Sequence, residues 1–152
     1  SITVDLYREV MGNKTVPVLR DATYPLVHHA RAALVTSGTA TLETALLDTP
    51  QVACYRFNGS KWSYKFYRRL LTGKYVTLPN IIADDNIIPE LLLHHCTADN
   101  LAAHLRPLLH DTPQRAEMLR GYRRVADLLG DSDCAAITAQ SIINHLHNRP
   151  TD

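Results

Sequence analysis

The chain has 152 residues, of which 45% are apolar and 20% charged, enough for one soluble globular domain with a buried core. A formal net charge of +1 gives no bulk attraction to nucleic acid, and no apolar run approaches the roughly 20 residues that span a bilayer. Cys54, Cys96 and Cys134 form no CxxC pair, which argues against a zinc site or a disulfide framework and fits a reducing compartment. No signal peptide is visible, and the chain opens on Ser1 rather than Met, directly into structured-looking sequence, so it is expected to be a piece of a longer protein.

Residues 3–11 read as a short helix (Val4, Leu6, Tyr7, Val10, Met11) stopped by Gly12-Asn13. Val16-Pro17-Val18-Leu19 reads as a short strand, with the proline favouring an edge or a strand start. Asp21 is expected to cap a helix over Ala22–Ala30. Ala32–Val35 is a fully apolar strand, the segment Thr39–Asp48 is helix-patterned, and Val52–Tyr55 is a second apolar strand introduced by Pro50. Continuous apolar strands alternating with helices argue for a parallel sheet covered on both faces. A helix is expected over Lys61–Leu71, with Trp62, Phe66 and Leu70 on one face, then a strand over Tyr75–Leu78 ended by Pro79-Asn80. After Ile81 the pattern reads as all helical. The expected helices are Ile87–His95, one capped by Thr97 with Leu101, Leu105, Leu108 and Leu109 inward, and a long one opened by Thr112-Pro113. That long helix carries Met118, Leu119, Tyr122, Val125 and Leu129 on one face and ends at Gly130. A last helix, capped by Asp131 or Ser132, carries Ile137, Ile142, Ile143 and Leu146, and the final residues are expected to fray. The whole reads as one domain over 1–148, with a helical tail from about residue 87.

The most telling stretch is Thr36-Ser37-Gly38-Thr39-Ala40-Thr41-Leu42-Glu43. Strand, small polar loop and helix start is an arrangement that holds phosphate, because the first N–H groups of a helix lack intrahelical partners and its dipole is positive there. Gly38 lets a ligand approach the backbone, and Glu43, one turn past Thr39, can accept from sugar hydroxyls. The same residues also suit a plain helix cap. Asn80 offers a donor and an acceptor at the same sheet edge, or is simply a turn asparagine. Lys61, Lys65, Arg68, Arg69 and Lys74, interleaved with aromatics, suit either an anionic membrane surface or a packed surface helix with solvated cations. His28-His29 and His94-His95 lack acidic partners at ligand spacing, so no metal is assigned.

Ser37-Gly38-Thr39-Ala40-Thr41-Leu42-Glu43 resembles the corresponding stretch of lipid-A-disaccharide synthases, inverting glycosyltransferases of the GT-B type. Pro50–Arg56, the run Lys74-Tyr75-Val76-Thr77-Leu78-Pro79-Asn80-Ile81-Ile82-Ala83, and Leu91–Cys96 followed by Leu101-Ala102-Ala103 and Leu105 are similar to the next segments in that family's order, so the resemblance covers most of residues 16–110. It implies an α/β chain, part of a Rossmann-like GT-B C-terminal domain with a short parallel sheet, flanking helices and a helical tail. It implies that Ser37, Gly38, Thr39 and Ala40 face the pyrophosphate of a UDP-sugar donor and that Glu43 meets the ribose. Arg20 and Thr23, in the turn after the preceding strand, would meet the uracil, and Asn80 matches an asparagine required for activity. No metal or cofactor is implied. The implied reaction joins UDP-2,3-diacylglucosamine to 2,3-diacylglucosamine 1-phosphate, in the cytoplasm at the inner face of the bacterial inner membrane; the alternatives are another UDP-sugar GT-B transferase or epimerase, or a non-catalytic interaction module. Peripheral membrane contact and homo-oligomerisation are further expectations. The family's N-terminal domain, with its catalytic acidic groups and acceptor site, has no counterpart in the chain. Neither have the first strands of the C-terminal domain, which sit between Val16–Leu19 and Ala32–Val35 in the family sheet. The chain alone is therefore expected to be inactive as a transferase.

Overall fold

Three short strands lie in one parallel sheet in the order β1-β2-β3: β1 Ala33–Val35, β2 Gln51–Tyr55 and β3 Glu90–Leu92. This is a computed structural model, and it describes residues 4–12, 14, 16–36, 38–56, 74–130 and 133–147. Ala33 pairs with Gln51, and Tyr55 pairs with Leu92. Gln51, Val52, Ala53 and Cys54 are all buried, so the central strand is covered on both faces, which its unbroken apolar run demands. The α-helices among the described residues are α1 Val4–Met11, α2 Thr23–His29, α3 Gly38–Leu46, α4 Leu78–Ala83, α5 Ala98–Leu108, α6 Pro113–Leu129 and α7 Cys134–His147. The α3 helix packs on β1 and β2, α5 on β2, and α4 on both α3 and α6.

The core is the seam where these meet: Ala45, Val52, Ala53, Ile88, Leu91, Leu108, Met118 and Tyr122. The two long helices start as their sequences demand. Thr97 Oγ1 accepts from Asn100 N, and Thr112 Oγ1 accepts from Arg115 N, each at 3.2 Å. Pro113 occupies the first turn of α6, where no N–H is needed. Gly130 ends α6 at φ 66°. Buried Met118, Tyr122 and Val125 form its inner face, whereas Leu109 and Leu129, expected inward, are 42% and 43% exposed.

Four local expectations give way. Val16–Leu19 is not a strand: no described strand lies beside it to accept its hydrogen bonds, and Val16 and Leu19 stay exposed. The α2 helix starts at Thr23 with Ala22 before it, and Asp21, at φ 53°, caps nothing. Tyr75–Leu78 is not a strand but a turn entering α4, because the N–H groups of Val76 and Thr77 are taken by the Glu90 carboxylate instead of a neighbouring strand. Ile87–His95 is not a helix: Pro89 O accepts from Ala53 N, so the segment joins the sheet as β3 and then closes in a 3-10 turn over Leu93–His95. The chain beyond Ile81 is thus not all helical. Asp133 caps α7 by accepting from Ala136 N at 3.0 Å; Asp131 and Ser132 lie outside the described residues, as do the Lys61–Leu71 helix and the fraying end.

Candidate functional site

Parallel pairing places the carboxyl ends of all three strands, Val35, Tyr55 and Leu92, on one edge of the sheet. Sheets of this kind bind ligands at that edge. The β1–α3 connection lies there: Thr36 is exposed, and α3 begins at Gly38. Gly38 has no positive φ, and among the described residues a Cβ added to it meets nothing within 4 Å. Neither backbone conformation nor packing by these residues therefore requires glycine, and none of them fills the space over the first turn. Thr39 is exposed and Ala40 half-buried, with the unpaired N–H groups of the helix start beside them.

Thr41 does not face this space. It is fully buried, and its hydroxyl donates back to the Gly38 carbonyl at 2.5 Å, which ties the first turn together. Glu43 is half-buried one turn past Thr39, and its carboxylate makes no hydrogen bond or ion pair among the described residues. Ser37 lies outside the described residues. Arg20 and Thr23 are both exposed at the start of α2. No hydrogen bond or ion pair among the described residues joins them to the β1–α3 loop; α2 is tied at its other end, where Thr49 Oγ1 donates to Val27 O at 2.7 Å.

Asn80 sits on α4, is fully buried, and turns its amide inward. Its Nδ2 donates to Ile88 O and to Glu90 Oε1, and its Oδ1 accepts from Ile87 N and Ile88 N, all at 2.9 Å. Glu90 also accepts from Val76 N, Thr77 N and the Thr77 hydroxyl. Sequence reasoning missed Glu90 because it was placed on a helix; Pro89 gave little warning, since proline is tolerated in a helix's first turn. At the top of β2, the Tyr55 hydroxyl is buried without a partner among the described residues, and burial, then the Glu90 charge, pushes its pKa up. Lys74, in the turn before α4, stands 4.7 Å over the Tyr75 ring and 3.8 Å from the Asp84 carboxylate.

A cavity of about 640 Å³ opens elsewhere, between the loop entering β3 (Asp85 to Pro89), α5 and α6. It shares no residue with the Thr36–Glu43 loop. At its wall Gly121 is pressed against Ile87, so that an added Cβ would lie 2.6 Å from Ile87 Cγ2.

A family model described as lipid-A-disaccharide synthetase matches residues 5–142. The chain is 38% identical over 130 residues to a lipid-A-disaccharide synthase of Acidobacterium capsulatum, covering 86% of this chain and 32% of that protein. It is 38% identical over 124 residues to the protein of that name in Methylobacillus flagellatus, covering 82% of this chain and 32% of the relative. It is 36% identical over 137 residues to the one in Rhodospirillum centenum, covering 88% and 34%. The chain thus spans about a third of the length of the curated relatives it matches.

Proposed function

The chain belongs to the lipid-A-disaccharide synthetase family, and from that premise we propose that it is the donor-binding part of a glycosyltransferase of lipid A biosynthesis. The full protein joins UDP-2,3-diacylglucosamine to 2,3-diacylglucosamine 1-phosphate and releases UDP. The observation that carries the reading is the first turn of α3 over Gly38, unblocked by any of the described residues, at the carboxyl edge of a parallel sheet. Negative charge grows on the β-phosphate as the glycosidic bond breaks. The free N–H groups at Gly38, Thr39 and Ala40 and the positive end of the α3 dipole meet that charge, with Ser37 completing the loop. Glu43, whose carboxylate has no partner among the described residues, takes the ribose hydroxyls, and Arg20 and Thr23 serve the uracil. The general base and the lipid acceptor site lie in the part of the protein that this chain does not cover.

No helix among the described residues is long and apolar enough to cross a membrane. Contact with the inner face of the bacterial inner membrane is assigned to the basic aromatic segment around Lys65, Arg68 and Arg69. Replacing these three with glutamate is expected to weaken binding to anionic liposomes; unchanged binding overturns that assignment. Self-association through α7 belongs to the same reading. The central test is calorimetric titration of UDP into the full-length protein and its Glu43→Ala variant. Binding by the wild type that weakens about tenfold or more in the variant supports the donor site. Absence of binding by the full-length wild type overturns it.

A further inference from the structure

An asparagine side chain has two N–H donors and two lone-pair directions on its oxygen. At Asn80 all four are taken by Ile88 O, Glu90 Oε1, Ile87 N and Ile88 N. The residue is fully buried, so its amide has nothing left to offer a substrate. Its partner Glu90 is an acceptor-only group on which three further donors converge: Val76 N at 3.1 Å, Thr77 N at 2.9 Å and Thr77 Oγ1 at 2.7 Å. One carboxylate and one amide therefore tie together the turn before α4, α4 itself and the entry into β3.

The placement of that turn gives the clamp its consequence. Because β2 and β3 are parallel, their connection must return from the carboxyl edge to the amino edge, and α4 lies on that return. The turn Lys74–Thr77 thus leads into α4 from the side of the edge that carries the β1–α3 loop, and α4 packs directly on α3. A shift of this turn is felt by the helix whose first N–H groups face the donor.

We propose that Glu90 and Asn80 are paired positioning residues of the donor site: they hold the Lys74–Thr77 turn and α4 against α3, and neither touches substrate. This rests on the donor-site reading above. It makes loss of activity on changing Asn80 an effect transmitted through Glu90 and the turn. It also makes Glu90 as sensitive as Asn80.

The test is a double-mutant cycle in the full-length protein with Asn80→Ala, Glu90→Gln and the pair. The readouts are UDP affinity by calorimetry, kcat, KM for donor and for acceptor, and thermal unfolding, with kinetics run well below each variant's midpoint. Each single change is expected to lower UDP affinity and donor kcat/KM by about tenfold or more while acceptor KM stays within about twofold. The double variant is expected to lose no more than the worse single one. Asn80→Asp adds a second arm, since it keeps the acceptor for Ile87 N and Ile88 N but sets a carboxylate against Glu90. Its activity is expected to rise when Glu90→Gln removes that repulsion. Losses that multiply in the double variant, a Glu90→Gln protein with wild-type affinity and turnover, or no rescue of Asn80→Asp each overturn the proposal while leaving the donor site standing. A wild-type protein that neither binds UDP nor forms the disaccharide overturns the functional reading, and this one with it.

Discussion

Single residues here divide into those the fold consumes and those it leaves open. Tyr122 is consumed. Its hydroxyl donates to Thr49 O at 3.2 Å and accepts from Gln51 Nε2 at 3.3 Å, pinning α6 to the start of β2. Gln51 is fully buried, and its Nε2 also donates to Thr41 O, so α3 joins the same network. Tyr122→Phe leaves buried partners unsatisfied and is expected to cost about 1–2 kcal/mol in urea unfolding. Burial holds the Tyr122 phenol well above its ordinary pKa of 10.0. The folded state therefore binds that proton more tightly than the unfolded chain, so this contribution is complete below the ordinary value and is lost as pH rises past it. Burial raises Cys54 from 9.0 in the same way, so stability is expected to hold at neutral pH and fall above about pH 9, with a shallower fall in Tyr122→Phe. Gly38 is left open. Gly38→Ala is expected to keep or slightly raise the thermal midpoint, since alanine suits a helix better, yet to weaken UDP binding about tenfold by filling the space above the turn. Unchanged affinity would show that the ligand does not approach there.

At the scale of elements, the chain's own chemistry sets the long helices, and partners set the short pieces. Thr97, Thr112 and Pro113 mark helix starts that need no tertiary help, and Thr112→Ala is expected to cost about 1 kcal/mol through the lost cap, read by urea denaturation. The fit of α6 against the loop entering β3 depends on Gly121, where a Cβ already lies 2.6 Å from Ile87. Gly121→Val, branched at that crowded point, is expected to destabilise by about 1–3 kcal/mol. The pieces misassigned from sequence are short. Tyr75–Leu78 and Glu90–Leu92 traded places, turn for strand and strand for helix, because an apolar run of three or four residues has no periodicity long enough to choose. The choice fell to Ala53 N, which needed a neighbour and found Pro89 O, and to Glu90, whose carboxylate took the N–H groups of Val76 and Thr77.

At the scale of the molecule, the described sheet has only three strands, and much apolar surface remains exposed beyond it. Leu34 on the outer strand β1 is 47% exposed, and α7 presents Ile137, Ile142, Ile143 and Leu146 to solvent. The chain covers about a third of its relatives. The 152-residue chain by itself is accordingly expected to show no disaccharide formation from the lipid substrates; turnover by it would overturn the assignment of the general base and acceptor site to the remainder. Sedimentation of the full-length protein checks the self-association assigned to α7. Replacing Ile142 and Ile143 with glutamate is expected to shift it toward the monomer, and an unchanged distribution overturns that contact.

The sequence by itself determined the parallel strands β1 and β2, a helix opening at Thr39, one residue after its start in the structure, the helix caps at Thr97 and Thr112, and the loop over Gly38 as the candidate donor site. Each of these is local: a continuous apolar strand, a capping hydroxyl or a small residue at a helix start acts through its immediate neighbours. The tertiary structure alone decided that Glu90 belongs to a strand, that Thr41 turns its hydroxyl inward and that Asn80 is saturated from within. The strand and the saturated asparagine depend on groups distant along the chain, as between Ala53 and Pro89 or Val76 and Glu90, which meet only when the sheet forms; Thr41 bonds locally to Gly38, but its burial comes from the packing of α3.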